Sequence, residues 1–198
     1  MTQTLDSKLF HLTISPYFFI INHINSIGAL IMFTYELIET DNKKEFYNRL
    51  NKYLDALLGD DRDWLSGLCN ASALLYNLMP DINWAGFYLY RDEELVLGPF
   101  QGKPACVRIP IGKGVCGSAA ASLKVQVVKN TEEFPGHIVC DPASRSEIVL
   151  PIVKGDNLIG VLDIDSPVLN RFDMEDAKGL GEFINILFSR IEYNGVLV

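Results

Sequence analysis

Glu147-Ile148-Val149-Leu150-Pro151-Ile152-Val153, then Lys154-Gly155-Asp156-Asn157, then Leu158-Ile159-Gly160-Val161-Leu162-Asp163-Ile164-Asp165 reads as two β-type runs joined by a turn. The runs are dense in β-branched residues, and the glycine-containing tetrad between them supplies what a hairpin turn demands. Side chains alternate along a strand, so Asp163 and Asp165 share one face while Ile164 points to the core on the other. Glu147 opens the partner strand and reaches the same end. Crowded carboxylates raise one another's pKa, and an acid still protonated near neutral pH can donate to a leaving oxygen. On this pattern alone, a solvated strand edge is the plainer reading.

Working outward, Ala85–Tyr90 and Leu95–Leu97 flank Arg91-Asp92-Glu93-Glu94 as another hairpin. A third strand fits Ala105 to Ile109, a short helix fits Ser118 to Leu123, and Gln126-Val127-Val128 makes a further strand. Residues 130–146 form a loop punctuated by Pro135, Gly136 and Pro142. At the amino-terminal side, Phe46, Leu50, Tyr53, Leu54, Leu57 and Leu58 give one helical stripe. Asp63 caps a second helix that ends at Pro80. A last helix opens at Asp173 and runs to about Glu192. Helices at both ends and an antiparallel sheet between them predict an α+β layered fold, one sheet face covered by the helices and the other free for function.

The 198 residues fit one domain, and 48% hydrophobic with 21% charged residues is ordinary globular composition. A net charge of −8 argues against nucleic acid and anionic membrane surfaces as partners. Leu9 to Phe33 is apolar, but Pro16, Asn22, His23, Asn25 and Ser26 interrupt it, which argues against a spanning helix or a signal peptide. Residues 1–33 are accordingly read as an extension, with Met32 as an alternative start, and 34–198 as the domain. Without a secretory pattern, the reducing cytoplasm is the expected compartment.

Four cysteines, Cys69, Cys106, Cys116 and Cys140, lack the paired spacing of a zinc site or a disulfide scaffold. Cys69 borders a helical stripe and reads as structural. Cys106, Cys116 and Cys140 lie among loops and strand ends, where thiols are reactive or merely incidental. Cys140 neighbours His137, Asp141, Ser144 and Arg145, and a cation such as Arg145 or protonated His137 would enrich its thiolate. Nearby carboxylates would act the other way. Trp84 and Tyr88 share a strand face and can wall an apolar pocket, although core packing explains them equally. Gly112, Gly114 and Gly117 can expose amides to an anion, a weak signal.

Asn83–Tyr88, Leu97–Gly102, Cys106, Gly112–Gly117, Phe134–Asp141, Ser144–Glu147 and Leu162–Ser166 together closely resemble the free methionine-(R)-sulfoxide reductases, over roughly Tyr35 to Ile191. The resemblance implies a GAF fold with a six-stranded antiparallel sheet, and commonly a homodimer. It implies Cys140 as nucleophile, Cys106 as resolving thiol and Cys116 as a third thiol assisting recycling. Trp84 and Tyr88 would enclose the substrate methyl group. Glu147, Asp163 and Asp165 would hold the substrate ammonium and polarise or protonate the sulfoxide oxygen. No metal or bound cofactor is implied. The expected reductant is thioredoxin, itself served by NADPH and thioredoxin reductase. Two other readings are a GAF module that binds a small ligand without reacting, and a thiol redox sensor.

Overall fold

In the computed structural model the domain unit is Phe33–Val198, of which residues 33–194 are described. The sequence readings on residues 1–32 lie outside the described residues. Phe33 packs against the core, its ring 5.8 Å from Tyr35 and 6.3 Å from Tyr53.

Two helices come first, α1 (Lys43–Leu58) and α2 (Trp64–Leu78). Their starts are set by side-chain caps: Asn42 accepts from the Glu45 amide and Asp63 from the Ser66 amide, satisfying backbone donors that a helix leaves open. Strands β1 (Trp84–Arg91), β2 (Glu94–Gly102) and β3 (Arg108–Pro110) follow. Then come α3 (Gly114–Ser122), β4 (Gln126–Val128), β5 (Ser146–Lys154), β6 (Asn157–Ser166) and α4 (Met174–Arg190). Asp173 closes a capping box with Asp176 at the start of α4.

The six strands form one antiparallel sheet in the order β3-β2-β1-β6-β5-β4. Alternation sorts its two faces. Ala85, Phe87, Leu89, Ile148, Leu150, Ile152, Leu162 and Ile164 point toward α1, α2 and α4 and make the main core. Trp84, Tyr88, Val149 and Val161 point the other way, with Val115, Cys116, Ala119 and Ala120 of α3. The expected division into a helix-covered face and a functional face is therefore observed.

Two local expectations need correction. The chain is strand only from Arg108, not from Ala105, because Lys103-Pro104-Ala105-Cys106 is held as a loop by side chains of β1. Trp84 Nε1 donates to the Lys103 carbonyl at 3.1 Å and the Tyr88 hydroxyl to the Cys106 carbonyl at 3.0 Å. Helix α3 begins at Gly114 rather than Ser118. The glycine-rich turn before it uses its amides internally, Gly112 N–H donating to the Gly117 carbonyl at 2.8 Å and Gly117 N–H to that of Lys113 at 3.0 Å. Those two amides are thus not offered to an anion.

One glycine fixes how closely β6 meets β1. A Cβ on Gly160 would stand 2.2 Å from the Tyr88 carbonyl oxygen and 3.0 Å from Leu89 Cα, and backbone in mid-sheet cannot step aside. Gly160→Ala is expected to destabilise the domain by about 1–3 kcal/mol, the usual cost of overpacking. Urea denaturation checks this, and an unchanged midpoint would contradict it.

Candidate functional site

Strand register places the acids. Asp165 of β6 pairs with Trp84 of β1 on one side and Glu147 of β5 on the other. One step along the same face, Asp163 pairs with Gly86 and Val149. Glu147 and Asp163 are 5% and 6% exposed, so this is no solvated strand edge. All three carboxyls line one pocket together with Trp84, Tyr88, Cys116 and Cys140.

The aromatic wall is a stack: Trp84 lies 5.9 Å from Tyr88 and 5.3 Å from Phe100, the planes inclined by 24° and 13°. Core packing and pocket wall thus turn out to be one arrangement, since both rings are buried and both face the pocket. Their polar ends carry the loop bearing Cys106. Cys140 arrives from the long loop opposite, and its Sγ stands 2.6 Å from Cys106 Sγ, both thiols free and half-buried. Cys116, at the start of α3, is buried, with Sγ 3.9 Å from Glu147 Oε1.

Lys103 and Asn83 have no assigned role in the sequence reading, and Asp141 and Ser144 figure there only as polar neighbours of Cys140. Asp141, next to Cys140, accepts from Lys103 Nζ and from Asn83 Nδ2, each at 3.2 Å, and so ties the Cys140 loop to the Cys106 loop. Asn83 Nδ2 also donates to Ser144 Oγ at 3.0 Å, and the Ser144 side chain partly offsets the effect of burial on Asp165. Lys103 immediately precedes Pro104-Ala105-Cys106, but a solvent-facing lysine three residues from a cysteine is too common to stand out. His137 lines the pocket with Nε2 3.7 Å from Glu147 Oε2. Arg145 is exposed and is not among the lining residues.

These positions set the electrostatics. Burial, then the charge of Asp165, pushes Glu147 well above the usual carboxylate range. Burial and Glu147 do the same to Asp163, and burial and Asp163 to Asp165. Among the described lining residues the basic side chains are Lys103 and His137. Lys103 is engaged with Asp141, and burial lowers His137, favouring its neutral form. The expected cationic activation of Cys140 is not found. Its thiol is pushed up to about 12, by burial first and then by Cys106 and Asp163. The fully buried Cys116 thiol is raised by burial, Asp163 and Glu147.

Linkage fixes a sign for stability. Glu147, Asp163 and Asp165 keep protons in the folded chain that they release in the unfolded chain above about pH 4. The folded state then binds more protons, and stability falls as pH rises through the raised values. His137 opposes this only up to about pH 6.5, where its unfolded form loses its proton. The melting temperature of the ligand-free protein is expected to fall between pH 5 and 8, and to fall less steeply in Asp163→Asn. Thermal unfolding across that range checks it, and identical slopes for the two proteins would contradict it.

Comparison with known proteins adds the following. The GAF domain family model matches residues 54–187. The chain is 57% identical over 143 residues to the free methionine-R-sulfoxide reductase of Escherichia coli, covering 72% of this chain and 87% of that protein. The free methionine-R-sulfoxide reductase of Neisseria meningitidis, solved in complex with its substrate, superposes with a TM-score of 0.76 at 41% identity over 80% of this chain and 95% of that one. The reduced Staphylococcus aureus enzyme gives 0.71 at 49% identity over 74% and 95%. Among the described residues no helix is long and apolar enough to cross a membrane.

Proposed function

The chain belongs to the GAF-domain family of free methionine-R-sulfoxide reductases, and from that premise we propose that it reduces free L-methionine (R)-S-oxide to L-methionine, with Cys140 as nucleophile and Cys106 as resolving thiol. The observation that carries this reading is the pair of free thiols 2.6 Å apart, facing a cluster of buried carboxyls within one pocket.

The substrate methyl group packs against the face of Trp84 and Tyr88, which offer apolar surface with their polar ends turned to the loop. The ammonium enters the carboxyl cluster, where the buried Asp163 Oδ1 has no partner of its own and an unsatisfied polar atom is costly. Its charge favours ionisation of one carboxyl and offsets the field that holds the Cys140 proton, so the thiol pKa falls as the site fills. Cys140 thiolate attacks the sulfoxide sulfur while a neighbouring protonated carboxyl gives its proton to the oxygen. The sulfoxide S–O bond breaks, its oxygen passes as hydroxyl to Cys140 Sγ while the S–S bond to the substrate breaks, methionine leaves, and Cys140 becomes a sulfenic acid. Cys106 thiol then attacks the sulfenic sulfur, water leaves, and a Cys106–Cys140 disulfide remains. A low-potential dithiol such as thioredoxin reduces that disulfide; Cys116 assists recycling. A cytoplasmic homodimer with no bound cofactor is part of the same reading. A pocket this closed also favours the free amino acid over methionine within a polypeptide.

The test is NADPH consumption with thioredoxin and thioredoxin reductase, with each methionine sulfoxide epimer supplied separately. Turnover is expected with the R epimer alone and is expected to drop at least about 1,000-fold in Cys140→Ser, since removing a nucleophile costs that much or more. Full turnover by Cys140→Ser, or none by the wild type with either epimer, would overturn the reading. The second outcome would favour a ligand-binding or redox-sensing GAF module.

A further inference from the structure

The reaction scheme leaves the buried end of the pocket with an unusual set of atoms. Cys116 Sγ and one oxygen each from Glu147 and Asp163 lie within 4.8 Å of one another, all three residues being buried. Cys116 Sγ and Glu147 Oε1 are 3.9 Å apart. Ligand atoms around a tetrahedral zinc ion stand about 3.5 Å from one another, given bonds of about 2.3 Å to sulfur and 2.0 Å to oxygen. The set therefore needs contraction by about 0.4 Å for the Cys116–Glu147 pair and by up to about 1.3 Å elsewhere, within reach of side-chain rotation. A second observation points the same way: Asp163 Oδ1 is buried and without a partner, on a side chain that lines the pocket. His137 lines it too, with Nε2 3.7 Å from the other Glu147 oxygen. A buried thiol sulfur with two carboxylates is a donor set that suits zinc better than calcium or magnesium.

We propose that Cys116, Glu147 and Asp163, with His137 beside them, form a Zn2+ site at the buried end of the pocket, and that Zn2+ held there keeps the substrate out. Both the metal and a substrate ammonium are cations seeking Asp163 Oδ1, so their binding is mutually exclusive. That the excluded molecule is methionine sulfoxide rests on the function proposed above; the metal site does not. Binding replaces the protons on Cys116 and the two carboxyls, which leave to solvent, so affinity rises with pH.

The adjacent Cys106 and Cys140 thiols would also attract zinc, so the test uses the full chain carrying Cys106→Ser and Cys140→Ser. Titration against a chromophoric chelator is expected to show one Zn2+ bound per chain. Adding Cys116→Ser, or separately Asp163→Asn, is expected to weaken binding at least about tenfold, because even partners of metal ligands cost that much when changed. Co2+ is expected to give a thiolate-to-metal absorption band that Cys116→Ser lacks. No Zn2+ binding, or binding undiminished by both added substitutions, would overturn the site. Methionine (R)-sulfoxide is expected to displace the ion. Zn2+ lost with Cys116 yet undisturbed by methionine sulfoxide would overturn the exclusion of substrate, while epimer turnover by the wild type decides the proposed reaction independently.

Discussion

The pairing of Glu147 with Asp165 across β5 and β6 is the constraint on which the rest depends. Two acids directly opposite each other on adjacent strands repel when charged, and a third, Asp163, stands one step away on the same face. Burial and mutual repulsion raise all three carboxyls, which favours their protonated forms, and protonation relieves the conflict. The register cannot slip to avoid the conflict. A shift of one residue would turn Asp163 and Asp165 into the core beneath α1, α2 and α4, and bring Leu162 and Ile164 into the pocket. The hydrophobic face thus enforces an electrostatically unfavourable arrangement on the other.

Around that cluster, the polar groups serve mainly to bring two loops together. Neither Cys106 nor Cys140 lies on a strand or helix. Trp84 and Tyr88, fixed by stacking on the sheet, hold the Cys106 loop through its carbonyls. Asp141 joins that loop to the one bearing Cys140 through Lys103, and Asn83 fastens it to the end of β1. The thiols consequently meet without help from secondary structure of their own, and the same aromatic pair serves as pocket wall and loop anchor.

Much of this was legible in the chain. The hairpin of β5 and β6 showed in its alternation and turn, and with it the shared face of Asp163 and Asp165. The helices showed in their apolar stripes, and Asp63 and Asp173 in their capping positions. Less legible was anything settled by loops meeting in space. The start of β3 was placed too early because Ala105 to Val107 looks strand-like until Tyr88 claims the Cys106 carbonyl. Arg145 looked like an activating cation because it follows Cys140 closely in sequence, but its side chain is exposed, whereas Lys103, much farther along the chain, reaches Asp141. The burial that raises the acids and lifts the Cys140 thiol has no local sequence signature, since it comes from three strands, α3 and two loops at once.

The central claim is that two thiols held side by side at a cluster of buried acids perform one oxidation cycle together. A quenched single turnover tests it most directly: the reduced protein is mixed with excess methionine (R)-sulfoxide and no reductant, alkylated, digested and mapped by mass spectrometry while released methionine is counted. The account predicts one methionine per chain and a Cys106–Cys140 linkage with Cys116 still alkylatable after unfolding. Methionine release with Cys106 left as a free thiol, or no methionine release at all, would contradict it.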